Sequence, residues 1–207
     1  CLSHPRIRFL PDTEVTALER KGDTWIAFAS GREAMRADIA ILANAAASRA
    51  LLPEVPLPLR TVRGQVTHLP VSEATRHLKT VLCFGGYILP EQDGLHRLGA
   101  TYERQRHDTG IHEDSHRANL ELAAKALPSV LHEATELGGW AGIRTTTPDK
   151  LPLVGALSPG GLYATLGHGS RAALSCPISG EILASRIHGE PIPVAHSLAS
   201  TLDPLRF

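Results

Sequence analysis

Short apolar runs alternate with charged or turn-forming stretches along most of this chain, and the spacing turns helical in two places. Ile7 and Phe9 alternate with Arg6 and Arg8, which predicts a half-buried strand. Val15 and Ala17 alternate again. Gly22 makes a turn, Trp25, Ala27 and Ala29 continue on a further strand, and Gly31 turns once more. The run Ile39 to Ala43 is continuously apolar and predicts a strand covered on both faces. Asn44 ends it, and residues 45–52 suit a short helix before Pro53. Three prolines within residues 53–60 predict an extended linker. Strand character returns in VRGQVTHLPV, TVLCFGGYILP and LHRLGATY, and again over residues 136–145. Residues 113–127 give the clearest helix, with acidic residues in its first turn and Leu120, Ala123, Ala124 and Leu127 on one face. A shorter helix is expected after Pro128.

The run GLYATLGHGSRAALSCPISGEILAS, residues 161–185, carries the most information. Leu162 to Leu166 read as a buried strand, residues 167–170 as a tight glycine turn, and Ala173, Leu174, Ile178, Ile182 and Leu183 recur at helical spacing. A strand that breaks at glycines and re-enters as a helix aims backbone N–H groups at one spot, which suits an anion or an electron-rich ring. The turn is of a cofactor-binding kind. Its glycines do not have the G-x-G-x-x-G spacing of the dinucleotide fingerprint.

The 207 residues suffice for one large domain or two small ones. Lys+Arg and Asp+Glu both total 21, so overall charge gives no support to a nucleic-acid binder, while a local basic patch stays open. Three dispersed cysteines without C-x-x-C spacing fit a reduced, cytoplasmic setting. No apolar run approaches a membrane span, and no signal peptide is read. Of eleven histidines, His107, His112 and His116 form the one close group. They lack a supporting third ligand and read as a solvated face, so no metal site is expected. There is no G-x-S-x-G element. The chain begins at Cys1 in mid-pattern and reads as a piece of a longer polypeptide.

Five elements occur in order: ADIAILANAAAS, LRTVRGQVTHLP, GGYILP, GIRTTTPDKLPLVG and GLYATLGHGSRAALSCPISGEILA. Together they resemble the FAD-dependent amine and amino-acid oxidase family that includes glycine oxidase and D-amino-acid oxidase. Within it, VRGQVTHLP, VLCFGGYILP and the end EILASRIHGEPIPV with TLDPLRF resemble a branch of bifunctional tRNA-modifying enzymes. The resemblance implies a mixed α/β (α+β) fold: a partial, Rossmann-like FAD-binding lobe plus a β-sheet substrate lobe of the D-amino-acid oxidase type. It allots residues 1–60 and 142–190 to the FAD lobe, 61–141 to the substrate lobe and 191–207 to a tail. The G-x-G-x-x-G that grips the FAD pyrophosphate is then expected before Cys1.

The same resemblance suggests site residues, each with a plainer alternative. Arg144 would clamp the substrate carboxylate, a task suited to the rigid guanidinium fork, or it forms an ordinary surface ion pair. Tyr87 would touch that carboxylate or is a packing aromatic. Arg171 would lie against the flavin, or pairs with a local acid at a helix start. Gly167, His168, Gly169, Ser170, Arg171 and Ala172 would present their turn to the flavin ring, where N–H groups stabilise negative charge. Ser170 is equally an N-cap, and His168 equally a structural histidine. Arg63, Gly64 and Gln65 would border the flavin, or they serve the fold. Val15 would meet adenine through its backbone, with Ala43, Asn44 and Ala45 bordering the dinucleotide, or these are core strand residues. The segment before the T-P-D turn holds no cysteine, so FAD is expected to be noncovalent.

The resemblance implies FAD-dependent oxidative removal of the carboxymethyl group from carboxymethylaminomethyl-(2-thio)uridine in tRNA, with release of glyoxylate. It also implies a fused or adjacent SAM-dependent methyltransferase domain and no membrane partner. Two alternatives stay open: a glycine- or D-amino-acid-type oxidase acting on free amino acids, and a non-catalytic truncated fragment. The expectation for the isolated fragment is inactivity.

Overall fold

A computed structural model describes residues 3–128, 138–158 and 160–207. Cys1, the first residue, and the helix expected after Pro128 lie outside the described residues. The protein is mixed α/β and divides into two compact units. Unit 1 comprises Cys1–Arg60 and Thr146–Phe207, and unit 2 comprises Thr61–Thr145.

Unit 1 holds two three-stranded sheets. The first is an antiparallel meander of β1 (Val15–Lys21), β2 (Thr24–Ala29) and β3 (Arg32–Ala37), joined by turns at Gly22 and Gly31. Sequence reading passed over β3, because its charged residues and single Met35 give no apolar alternation. The second sheet has the order β10 (Leu153–Ser158), β11 (Leu162–Leu166), β4 (Ala40–Leu42). β10 and β11 form a hairpin, whereas β11 runs parallel to β4 with Leu162 opposite Ala40 and Ala164 opposite Leu42. Leu42, Leu57, Leu59, Leu153, Leu162 and Leu166 share one core with Trp25 and with Leu51 of α1 (Ser48–Leu51). The Trp25 indole N–H donates to the Gly160 carbonyl at 2.7 Å, which fastens the meander to the other sheet. A second core joins Val154, Ile182, Leu183 and Leu202. It packs α3 (Ala172–His188) and the segment around α4 (His196–Thr201) against β10.

Unit 2 holds a five-stranded sheet in the order β6 (Leu82–Cys83), β7 (Tyr87–Ile88), β8 (Leu95–Gly99), β5 (Arg60–Pro70), β9 (Gly139–Thr146). α2 (Glu113–Ala126) covers it through Ala123, Leu120 and Leu127 over Leu69, Ile88 and Leu98.

Several expectations need correction. Residues 5–9 are not a strand: Ile7 N–H turns back onto the His4 carbonyl, and Ile7 and Phe9 are 45% and 59% exposed. The Ile39–Ala43 run is covered on one face only, since Leu42 is buried while Ile39 and Ile41, two apart, are exposed. The proline-rich stretch is no free linker, because it buries Leu57 and Leu59 in the first core. Residues 191–207, read as a tail, pack through Ile192, Val194 and Leu202 into the second core. Residues 142–145 lie on β9, within unit 2, so the break falls after Thr145 instead of before Gly142. On α2, Ala124 is exposed and the inward face carries Ser115, His116 and Asn119.

The C-terminus is locked by one guanidinium. Arg206 donates Nε to Asp149 Oδ2 at 2.8 Å and an NH2 hydrogen to Asp149 Oδ1 at 3.0 Å, and it also donates to the carbonyls of Leu151, Pro152 and Asp203. The hydrogen bonds from Arg206 hold the Asp149 carboxyl well below the usual carboxylate range, against burial. A carboxyl depressed on folding contributes stability above its unfolded pKa, and that contribution is lost as pH falls below about 4. Arg206→Ala should therefore cost about 1.5–3 kcal/mol in urea unfolding at neutral pH. The difference from wild type should shrink below pH 4; a constant difference would show that the pair contributes nothing.

Candidate functional site

In unit 1 the parallel pairing of β4 and β11 brings two predicted segments to the same end of one sheet. Ala43, Asn44 and Ala45 leave the carboxyl end of β4, and Gly167–Ala172 leave that of β11. Carboxyl ends of adjacent parallel strands are where α/β sheets receive nucleotides. Ala45 takes a left-handed φ of 55° there, and Asn44 Oδ1 accepts a short hydrogen bond from the Ser48 hydroxyl.

The turn after β11 requires its glycines, because Gly167 and Gly169 have φ of 74° and 58°. A 3-10 turn (Gly169–Arg171) then runs into α3, and neither start has a side-chain cap. A helix start leaves its first N–H groups without intrahelical partners. With no side chain capping them, they fit an electron-rich or anionic group. Ser170 is therefore not an N-cap. The spacing Gly167–Gly169–Ala172 does fit the dinucleotide motif with alanine in third place. Among the described residues, however, no parallel strand follows α3 to close a β-α-β unit.

His168 is half-buried, with Nε2 2.8 Å from the Thr165 hydroxyl and Nδ1 2.8 Å from the Ser175 hydroxyl. Its backbone bridges to Thr146. Burial pushes its pKa below the ordinary histidine value, which favours the neutral ring. Arg171 is exposed and makes no side-chain hydrogen bond or ion pair among the described residues, so the local-acid pairing is not formed. Val15 lies on the other sheet of unit 1, the meander, where it pairs with Ala29.

In unit 2, β9 carries Arg144 and β5 carries Gly64. A Cβ built on Gly64 would collide with the Arg144 guanidinium, so the guanidinium lies flat against bare backbone. One of its nitrogens donates to the Thr101 carbonyl at 3.4 Å, and no carboxylate pairs with it among the described residues. The surface ion pair weighed for Arg144 is therefore not formed. Tyr87 faces Gly99 across the β7–β8 pair, and its hydroxyl would lie 3.3 Å from a Cβ there. Arg144 and Tyr87 thus both touch the Gly99–Thr101 stretch.

Arg63 and Gln65 are a different matter. Both are fully buried. The Arg63 guanidinium donates to Glu103 at 3.0 Å, to the carbonyls of Asp108 and Gly110, and to Gln65 Oε1 at 2.8 Å. Gln65 in turn donates to the His112 carbonyl and accepts the His112 N–H. Their side chains are committed to the fold, as the structural alternative weighed for them has it. Only Gly64 between them leaves its backbone to a neighbour.

The histidine group also dissolves. His116 is buried with Nδ1 2.9 Å from the Thr67 hydroxyl, and His112 pairs with Asp108 at 2.8 Å, which lowers the Asp108 pKa. Beside α2 opens a cleft of about 760 Å³ in unit 2, lined by Thr101, Tyr102, Glu103, Arg104, Arg106 and Asn119 among others. Sequence reading missed it, because nothing in the pattern marks residues 100–106 as a wall.

The FAD dependent oxidoreductase family model matches residues 5–186. The chain belongs to this family. It is 38% identical over 223 residues to the tRNA 5-methylaminomethyl-2-thiouridine biosynthesis bifunctional protein MnmC of Pseudomonas aeruginosa (strain UCBPP-PA14), covering 92% of this chain and 34% of that protein. The MnmC of Pseudomonas putida (strain GB-1) is 35% identical over 239 residues, covering 100% of this chain and 36% of the relative. The chain thus spans about a third of the length of these relatives. In structure it resembles glycine oxidase from Geobacillus kaustophilus, with TM-score 0.79 and 23% identity, covering 94% of this chain and 52% of that one. It also resembles iminodiacetate oxidase (IdaA) from Chelativorans sp. BNC1, with TM-score 0.74 and 25% identity over 88% of this chain and 51% of that one. The mixed α/β fold of this oxidase type is therefore established.

His168 gives a pH test of the β11 turn. Because its folded pKa is depressed, the unfolded chain binds more protons once pH falls below about 6.5. Stability should then drop with falling pH, by at most about 1.4 kcal/mol per pH unit from this residue. Urea unfolding at pH 7.5 and 5.5 should show a smaller loss for His168→Gln than for wild type. Equal losses would mean the ring is not held neutral.

Proposed function

We propose that this chain is part of an FAD-dependent module that removes the carboxymethyl group from carboxymethylaminomethyl-(2-thio)uridine in tRNA. The observation that carries this reading is Arg144: a half-buried guanidinium laid over Gly64, without a carboxylate partner among the described residues, in a chain 38% identical to MnmC. The substrate is a glycine unit joined to a base through its nitrogen. Its carboxylate would take the two-pronged site that Arg144 leaves open. Tyr87, whose hydroxyl has no hydrogen-bond partner among the described residues, would donate to the same carboxylate.

Bound FAD would supply a hydride acceptor for the carbon between the amine nitrogen and the carboxylate, with the nitrogen's proton passing to water. Water would then add to the substrate imine, and the adduct would break into glyoxylate and the aminomethyl-uridine. The chain's own contribution is positioning: anchoring the carboxylate at Arg144 and offering the uncapped start of α3 to negative charge on the ring. Unit 1 would be the flavin side, with Ala43–Ala45 and Gly167–Ala172 as its share of the cofactor site, and Val15 as a backbone contact. Arg171, exposed at the same turn, would add a positive charge there. Unit 2 would be the substrate side. The FAD would be noncovalent, since no cysteine lies on β9 or in the turn after it. The strand and glycine loop that grip the FAD pyrophosphate, and a SAM-dependent methyltransferase half, would be supplied by sequence outside these 207 residues. The setting would be the cytoplasm, where tRNA is modified; among the described residues no helix is long and apolar enough to cross a membrane.

Two expected outcomes test this. Arg144→Ala in the complete protein should lose about 1.5–3 kcal/mol of a charge-assisted pair, roughly ten- to hundredfold in kcat/KM on modified tRNA, with FAD content unchanged. Gly64→Ala should reproduce most of that loss by displacing the guanidinium, while thermal stability stays close to wild type because the displaced group is a flexible side-chain end. Full activity in both variants would remove Arg144 from the site. Turnover of free glycine comparable to that of modified tRNA would favour the amino-acid oxidase. The 207-residue chain alone should bind FAD weakly, and equilibrium dialysis showing tight one-to-one binding would contradict the division of the cofactor site.

A further inference from the structure

The segment Thr101–Glu103 runs antiparallel to β5. Arg63 N–H donates to the Glu103 carbonyl at 2.8 Å, Glu103 N–H to the Arg63 carbonyl at 2.9 Å, and Thr101 N–H to the Gln65 carbonyl at 3.2 Å. In an extended segment alternate side chains point to opposite faces. Thr101 and Glu103 point inward: the Thr101 hydroxyl accepts the Gln65 N–H, and Glu103 is held by Arg63, Arg106 and Ser115. Tyr102, between them, faces outward, and Arg104 in the bend that follows lies beside it. Tyr102 is 54% exposed, and the Arg104 guanidinium carbon lies 5.7 Å from its ring centroid. Both line the 760 Å³ cleft.

The charges around this pair are already matched. Arg106 reaches Asp114 through two hydrogen bonds and also contacts Glu103. The hydrogen bonds from Arg106 pull the Asp114 pKa down to about 2. Arg104 alone among the cleft's arginines has no acidic partner among the described residues. An exposed aromatic ring, a stacked guanidinium without a counter-ion, and a cleft beside them make a surface for a flat, anionic, π-faced ligand. RNA offers that chemistry: a base face for the ring and a phosphate for the cation.

We propose that Tyr102 and Arg104 form a stacking platform for a nucleobase of the RNA substrate, with Arg104 also meeting a backbone phosphate. This rests on the tRNA reading above and names the residues that would set its specificity for RNA over free amino acid. The platform is preorganised, because the backbone bonds to β5 and the Glu103 anchor fix the segment before RNA arrives.

The test measures binding of an anticodon stem-loop to the complete protein by fluorescence anisotropy, alongside turnover of modified tRNA. Tyr102→Ala should weaken binding roughly five- to hundredfold, the range for loss of one stacked base, while Tyr102→Phe stays near wild type. Arg104→Gln should weaken binding and lower the slope of log affinity against log salt by about 0.7–0.9, one phosphate contact. FAD content should be unchanged in all three, since both side chains are exposed. Wild-type turnover of tRNA with unaltered stem-loop binding by Tyr102→Ala and Arg104→Gln would overturn the platform alone. A wild-type protein inactive on modified tRNA would overturn the tRNA reading and the platform with it.

Discussion

A guanidinium with no access to water organises unit 2. Arg63 is fully buried, and burying a charge is costly unless it is paired and hydrogen-bonded. Here its donors reach the Glu103 carboxylate, two loop carbonyls and Gln65. The consequence is geometric more than energetic. One side chain on β5 fixes the start of the 103–112 loop at Glu103, its middle at Asp108 and its end at Gly110. Gln65 then fixes His112, which precedes α2. Everything proposed for the substrate side, from Arg144 beside Thr101 to the Tyr102–Arg104 pair, is hung on the segment that Arg63 holds.

The same hub explains what the sequence could and could not tell. The order of motifs conveyed the family, the strands of unit 2, the long helix 113–127 and the turn after β11, because these rest on glycines and apolar runs that local pattern records. The role of Arg63 was not legible. VRGQV reads equally as a cofactor-bordering motif and as a structural one, and the deciding partners lie 40 or more residues away. The inner face of α2 failed for a related reason. Asn119 donates to the Gln65 carbonyl and the Thr67 hydroxyl, so polar residues face inward where apolar periodicity would place Ala124. Exposed Leu174, on the helix after the glycine turn, shows the converse: its helical spacing is real, yet the face it marks is open in this chain.

Zero net charge leaves nucleic-acid binding open only through a local patch, and Arg97, Arg104, Arg106 and Arg117 lie close in sequence with His96, His107, His112 and His116. The fold withdraws most of them. His96 and His116 are buried, Arg106 is spent on Asp114 and Glu103, His112 on Asp108, and Arg97 on the carbonyls of Gln92 and Leu95. The RNA contact proposed above would therefore rest on local features of this unit, where Arg104 and Arg117 keep no acidic partner among the described residues. What remains is small and directional, and such a surface would give specificity through stacking with only a modest salt dependence.

A common rule runs through both units. Cations whose work is structural are saturated: Arg63 and Arg206 each satisfy several acceptors. Cations at the proposed binding positions are left short. Arg144 has a single long bond to a carbonyl, Arg171 has none among the described residues, and Arg104 has a ring in place of an acid. The start of α3 follows the same logic with backbone in place of side chain, since no cap takes its N–H groups. Unmet hydrogen-bonding capacity in a folded chain costs stability unless solvent or a ligand answers it. Its concentration at the carboxyl ends of β4 and β11 and along Gly99–Arg104 is the physical reason for placing cofactor and substrate at those positions.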